Sequence, residues 1–478
     1  MQGGRNEEAL SPILRSRCQP QKTDGTTAIP EPFDLAYDSV EEISLSPAGD
    51  NLMNRLRKWF SVYLLATPMI WIYGYPTISG FRKRKKELVK TGTRFVVAFQ
   101  KFLKVGTRPV QDAYFICSTL LAEEEFYLIA LPMIIWNIDY QLGRYLTLLV
   151  CGSLIVGNMM KDVFKLPRPP RDQVWIPEMM SSIDSTAARD FGFPSTHAMN
   201  SMSNPLFTIL YYYYYRSKEA GGVAMPFWAA IALGILWYLS VTLSRLYVGV
   251  HSPTDLRGGT LLGVLSAIFW YITCDLFDDW FKNTEYLSAQ IICFMIIVLL
   301  LNPQTRPLKP TFLQNVLLAG LFAGCCIGQR LHFEKVANGK SESNYLFDMG
   351  VFIEYLAGHN KVASNFIKHI MRLLLGYPVI LLVREVLKHI LVFFVKSVLG
   401  LDPRPKPTKV KVKAGLSQVK RGKREAYKIE KTITGWNIFA AALVKFWSYI
   451  ANAIIICYIC PIVFDKFAIP MSCSNSNA

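Results

Sequence analysis

Apolar stretches long enough to cross a bilayer recur along this chain, near 113–137, 145–160, 202–215, 226–243, 257–274, 287–301, 311–328, 373–396 and 436–464. A hydrocarbon core takes about twenty helical residues. Inside it every backbone N–H and C=O must find a protein partner, which a helix supplies within its own segment. About nine spanning helices are therefore expected, ten if 59–77 also crosses. With 51% hydrophobic and only 18% charged residues over 478 positions, the bilayer is the expected solvent. The expected fold class is all-α, a polytopic membrane helical bundle.

The formal charge of +17 does not point to nucleic acid. Its excess sits in RKRKK at 82–86 and in the Lys/Arg-rich segment 402–431, both beside apolar runs. Basic clusters in that position meet anionic lipid headgroups. Between 88 and 104 apolar and basic residues alternate, which fits an interfacial amphipathic helix and a solvated connector equally.

Residues 1–52 are polar and rich in Pro, Ser, Gly and acids, so a disordered or loosely attached tail is expected. The first apolar segment begins near Trp59, which favours insertion through internal spans over a cleaved signal. Most of the ten cysteines lie in or near apolar runs, where Cys behaves as a small hydrophobe. The CYIC at 457–460 lacks a second pair and reads as structural.

Chemistry concentrates in three blocks, each at the edge of an apolar run: KDVFKLPRP at 161–169, PSTH at 194–197 and SRLYVGVHSPTD at 244–255. In the first, Lys161 ends an apolar helix, and Pro167 and Pro169 break the helical pattern around Arg168. Cations at helix ends also snorkel to headgroups, so this block alone is weak. In the second, Ser195 and Thr196 follow Pro194 at a helix start, where free N–H groups favour an anion. Ser195 reads as an N-cap or as a phosphate donor, and His197 sits where that anion would bind.

The third block ends a helix near Arg245 and opens another after His251. Placed on one helical turn, Asp255 would orient one ring nitrogen of His251 and leave the other as a nucleophile. Ser252, Pro253 and Asp255 fit an N-cap, a first-turn proline and a capping box equally well. Asp275, Asp278 and Asp279 form an acidic group at a helix end, read as a solvated boundary rather than a magnesium site. Glu123, Glu124 and Glu125 are costly at a membrane edge and so suggest function, or else mark a helix break.

The order K-x6-R-P, P-S-x-H, S-R-x5-H-x3-D resembles the type 2 phosphatidic acid phosphatase superfamily over about 113–275. EEEFYLIALPMIIWNIDYQLGR at 123–144 and FGFPSTHAMN at 191–200 look like its sphingosine-1-phosphate phosphatases. Thr196 stands where many superfamily members have Gly, as in relatives acting on long-chain base phosphates. The resemblance implies a six-helix catalytic core over 112–275, preceded by a membrane-proximal or first membrane segment at 53–111. Additional helices would follow at 276–478.

It further implies hydrolysis of sphingosine 1-phosphate or dihydrosphingosine 1-phosphate at the endoplasmic reticulum membrane. His251 would be the nucleophile, His197 the general acid and base, and Asp255 the group that orients His251. Lys161, Arg168, Ser195, Thr196 and Arg245 would bind phosphate, with no metal or other cofactor required. The lipid's tail would lie between helices. Phosphatidic acid or an isoprenoid diphosphate is the alternative substrate, and a multi-pass transporter the alternative class, although no inverted repeat is visible.

Topology carries a conflict. If 59–77 spans and every later run crosses once, both 82–108 and 402–431 fall on the side of the three blocks. Charge counting would make that side cytosolic, against the lumenal site the resemblance implies. A re-entrant or interfacial segment, 59–77 or 373–396, would relieve it.

Overall fold

The computed structural model describes residues 78–121, 123–177, 191–215, 225–303, 310–337, 349–358, 360–404, 406–412, 426–432 and 436–471. The expected tail at 1–52 and the tenth run at 59–77 lie outside the described residues.

The helices are α1 (Ile78–Lys83), α2 (Lys85–Leu103), α3 (Pro109–Leu120), α4 (Glu124–Asn137), α5 (Tyr140–Phe164) and α6 (Thr196–Leu210), the last continued by a π turn over Tyr211–Tyr215. Then come α7 (Phe227–Tyr247), α8 (Pro253–Asn283), α9 (Leu287–Leu301), α10 (Pro310–Ala337), α11 (Met349–Leu356) and α12 (Lys361–Leu399). The chain closes with α13 (Trp436–Ile454), a π turn at Ile455–Ile459 and α14 (Cys460–Lys466). The all-α bundle is as expected. Within the basic segment, β1 (Lys406–Val412) pairs antiparallel with β2 (Ala426–Thr432) as a small hairpin.

Five helices among the described residues are long and apolar enough to cross a membrane, fewer than the nine runs suggest. The reasons are local. The run at 113–137 breaks between α3 and α4. The 202–215 run is a short helix ending in a π turn, and α9 has only 15 residues. The 373–396 run lies in α12, whose Arg384, Glu385 and Lys388 interrupt the apolar character.

Helix α5 is the hub: 89% of its apolar window is buried in protein. Leu142, Tyr145, Leu146 and Leu149 meet Phe207, Tyr211, Ala267 and Cys274 from α6 and its π turn and from α8. Asp278 is not at a solvated boundary as expected. It is buried, paired with Arg144 and accepting the Tyr145 hydroxyl at 2.6 Å, so it pins α8 to α5. Asp275 and Asp279, also on α8, are exposed.

Close helix approach comes from glycines four residues apart, the small-residue packing common between membrane helices. A Cβ on Gly259 or Gly263 of α8 would stand 2.1 Å from Ser195 O or 2.4 Å from Met199 O, so α6 and α8 touch backbone to backbone. Gly320 and Gly324 of α10 do the same against α13, where a Cβ would meet Phe446 O at 2.5 Å and Ile450 O at 2.2 Å.

The basic segment 82–104 forms α1 and α2, and α2 is a brace rather than a free connector. Val89, Gly92, Thr93, Val96 and Gln100 are buried. Gln100 donates to Tyr247 O at 2.8 Å and to Trp175 O at 3.0 Å, and accepts the Trp175 N–H at 2.9 Å. That side chain therefore fixes the end of α7 and the loop after α5. The Sγ atoms of Cys325 and Cys457 lie 3.8 Å apart as free thiols, which keeps CYIC structural.

Candidate active site

Local chemistry brings the three blocks together. Helix α5 stops at Phe164 because Lys165 takes a left-handed φ of 55°, and Arg82 donates to the free carbonyl of Val163 with Nε at 3.0 Å. Phe81, Phe164 and Phe193 form a triangle of rings with centroids 5.2, 5.2 and 4.9 Å apart. It welds the end of α5, inside the first block, to the residue just before the second. The Gly192 N–H donates to Leu166 O at 2.7 Å, and the Ser195 N–H donates to Asp255 O at 3.0 Å. Gly192 leaves little room for a side chain: a Cβ there would stand 3.0 Å from Asp255 Oδ2 and 3.3 Å from the Arg168 Cα.

Ser195 is the N-cap of α6, its Oγ accepting the Ala198 N–H at 3.4 Å, so its capping role is realised. Buried Lys161 reaches the Thr196 Oγ1 at 3.5 Å. Arg168 is half-buried in the loop, with an Nε that makes no hydrogen bond among the described residues.

His251 and Asp255 do not share a helical turn as expected. Ser252 caps α8 and Pro253 opens it, leaving His251 ahead of the helix. The chain nevertheless folds His251 back, so that its Nδ1 lies 3.5 Å from Asp255 Oδ2, with both side chains almost wholly buried. The same oxygen accepts the Ser252 N–H at 2.7 Å, and Ser252 Oγ accepts the Asp255 N–H at 3.3 Å. The capping reading of this block is realised, and the same fold sets the carboxylate beside the imidazole. His251 Nε2 is buried and makes no hydrogen bond among the described residues. The rings of His197 and His251 lie 6.3 Å apart, centroid to centroid.

Glu123 joins this group, a member that the three blocks did not identify. As N-cap of α4 it stands at the break after α3. Its Oε1 accepts from Arg245 at 3.0 Å and its Oε2 lies 3.3 Å from His197 Nε2. Arg245 also contacts that His197 nitrogen. The two contacts are alternatives: bare, Nε2 accepts from Arg245; protonated, it donates to Glu123. One nitrogen can therefore gain or lose a proton and keep a partner. The available signal was a run of three acids at the edge of an apolar stretch; Glu125 is exposed.

Burial, together with Arg168, Arg245, His197 and Lys161, pushes the His251 imidazole well below its ordinary 6.5, so it is neutral. Burial alone would raise Glu123, but His197 and Arg245 outweigh it and hold the carboxyl well below the usual carboxylate range. A neutral imidazole with one nitrogen beside a carboxylate, ringed by three cations and a helix start, suits a negatively charged electrophile such as a phosphate ester. Among the described residues there is no group of three or more His, Cys, Asp or Glu arranged to hold a metal ion.

Residues 142–277 match the family model of the PAP2 superfamily. The chain is 28% identical over 220 residues to a dihydrosphingosine 1-phosphate phosphatase of Schizosaccharomyces pombe, covering 45% of this chain and 51% of that protein. It is 28% identical over 226 residues to a probable sphingosine-1-phosphate phosphatase of Dictyostelium discoideum, covering 46% and 54%. To sphingosine-1-phosphate phosphatase 1 of Rattus norvegicus it is 27% identical over 299 residues, covering 62% and 64%. The chain thus spans between about half and just under two thirds of the length of these relatives. No solved structure matches it.

Proposed function

Because residues 142–277 are a PAP2-superfamily segment of a multi-pass membrane chain, we propose that this protein hydrolyses the phosphate monoester of a long-chain base. Its substrates are sphingosine 1-phosphate or dihydrosphingosine 1-phosphate, its products the free base and inorganic phosphate, and its place the endoplasmic reticulum membrane. The observation that supports this most is the approach of His197 and His251, centroids 6.3 Å apart, inside a shell containing Lys161, Arg168 and Arg245.

Lys161, Arg168 and Arg245 bind the phosphoryl oxygens, with Ser195, Thr196 and the free N–H groups at the start of α6. His251 Nε2 attacks phosphorus. As the P–N bond forms, the P–O bond to the lipid breaks, and His197 protonates the departing alkoxide. Neutral His197 then takes a proton from water; the hydroxide attacks the phosphohistidine and the P–N bond breaks, releasing phosphate and restoring His251. Asp255 orients His251 throughout and stabilises its positive charge. Glu123 is a positioning residue that holds His197 and favours its protonated form against burial and Arg245.

Purified His251→Ala and His197→Ala proteins, checked for folding, lose phosphate release from sphingosine 1-phosphate in the presence of chelator. Wild-type turnover by either variant would remove the mechanism. Preference for phosphatidic acid over long-chain base phosphates in competition would remove the substrate assignment.

A further inference from the structure

A cavity of about 250 Å³ lies in the bundle between α4, α5, α10, α12 and α13. Its walls are mostly aliphatic and thiol side chains, among them Leu131, Ile135, Leu154, Leu321, Cys325 and Cys457. Thr147, also in the wall, already donates its hydroxyl to Gly143 O at 2.7 Å. Charge appears in two lining residues, Glu125 and Arg384. These two and Leu128, 38% exposed, are its outward-facing members.

The orientation of α12 puts these exposed residues at one end. His369 Nδ1 meets Asn137 Oδ1 at 2.9 Å and Tyr377 donates to Ile129 O at 2.5 Å, so α12 runs antiparallel to α4 and brings Arg384 level with the start of α4. The cavity therefore opens beside Glu125, two residues from the Glu123 that touches His197 and Arg245. It then follows α4 down to Ile135, about 15 Å at the helical rise.

We propose that this cavity receives the far end of the substrate's hydrocarbon tail while the headgroup occupies the site at His251, making the protein sensitive to the length of that tail. The proposal rests on the phosphatase reading. A space of about 250 Å³ is large enough for the end of a hydrocarbon chain. Helices α10, α12 and α13 lie outside residues 142–277. The tail site is thus closed by the C-terminal helices against α4 and α5.

The test compares eighteen-carbon and eight-carbon long-chain base phosphates on wild type and on Leu321→Trp. The full-length protein is used, with p-nitrophenyl phosphate as a tail-free control. Each excluded methylene is worth about fourfold, so KM for the eighteen-carbon substrate rises at least ~10-fold in Leu321→Trp. The eight-carbon and tail-free substrates change less than ~2-fold. Equal changes for both lengths, or none, overturn the tail site.

A second measurement stands apart from turnover and from the folding of any variant. An eighteen-carbon base phosphate with a terminal diazirine, photolysed in wild type, labels peptides containing Cys325 or Tyr449 and is competed by unlabelled lipid. Labelling confined to other helices overturns the tail site even in an active enzyme. Labelling here without phosphate release from any substrate would retain the tail site and sink the phosphatase reading instead.

Discussion

The Oδ2 atom of Asp255 faces His251 Nδ1 at 3.5 Å while accepting the Ser252 N–H at 2.7 Å, so one oxygen both lies against an imidazole and caps a helix. Substitution separates the two duties. Asp255→Asn keeps an acceptor for the cap but loses the charge: melting temperature changes little, and phosphate release falls about a hundredfold or more. Asp255→Ala loses rate as well and a further ~1 kcal/mol of stability with the cap. Turnover and thermal unfolding of both variants check this; an Asn variant with wild-type turnover would leave Asp255 a cap alone.

Glu123→Gln retains an acceptor for Arg245 but no longer favours the protonated form of His197. Turnover drops about 10- to 100-fold with KM nearly unchanged, and the alkaline limb of the pH–rate profile moves to lower pH. A purely structural Glu123 would leave that limb in place.

Gly263→Ala drives a Cβ to 2.4 Å from Met199 O and pushes α6, which carries His197, off α8. Expected are a loss of about 1–3 kcal/mol and of activity. On α5, Gly152→Ala meets nothing within 4 Å and gains up to ~1 kcal/mol from helix propensity. Chemical or thermal denaturation of the pair tests both signs.

The buried neutral His251 sets a direction for stability against pH. Its folded pKa lies well below 6.5, so between those values the unfolded chain binds the extra proton and the fold weakens as pH falls. Glu123, held below its ordinary 4.5, adds a loss of the same sign only at lower pH, below that value. Melting temperatures of wild type and His251→Gln at pH 7.5 and 5.5 should show the smaller acid loss in the variant.

Much of the local architecture was legible. Ser195 as a cap and Ser252 and Pro253 as a helix start follow from short-range backbone chemistry, which spacing reports directly, whereas the helix expected to end at Lys161 runs on to Phe164. The juxtapositions were not. Glu123 reaches Arg245 across 122 residues, and although its run of three acids marked a helix break, nothing in that run named the partner. Gln100 looked like one polar residue in an amphipathic stretch because its partners, Trp175 and Tyr247, are backbone groups that leave no mark in composition. The excess of expected spans has a similar source: periodicity records apolarity, while Asp278 and α12 show that burial in protein and contact with lipid select for it alike.

The near-complete enclosure of α5 bears on how much of the molecule can stand by itself. A chain cut after Asn283 would strip α10 from α5. The amide of Asn158, which now donates to Gln314 and Asn315 at 2.9 Å, would then be left against hydrocarbon or an open gap. The segment carrying every reactive group would lose its shelter on one flank, and quality control in the cell would meet it as an orphan.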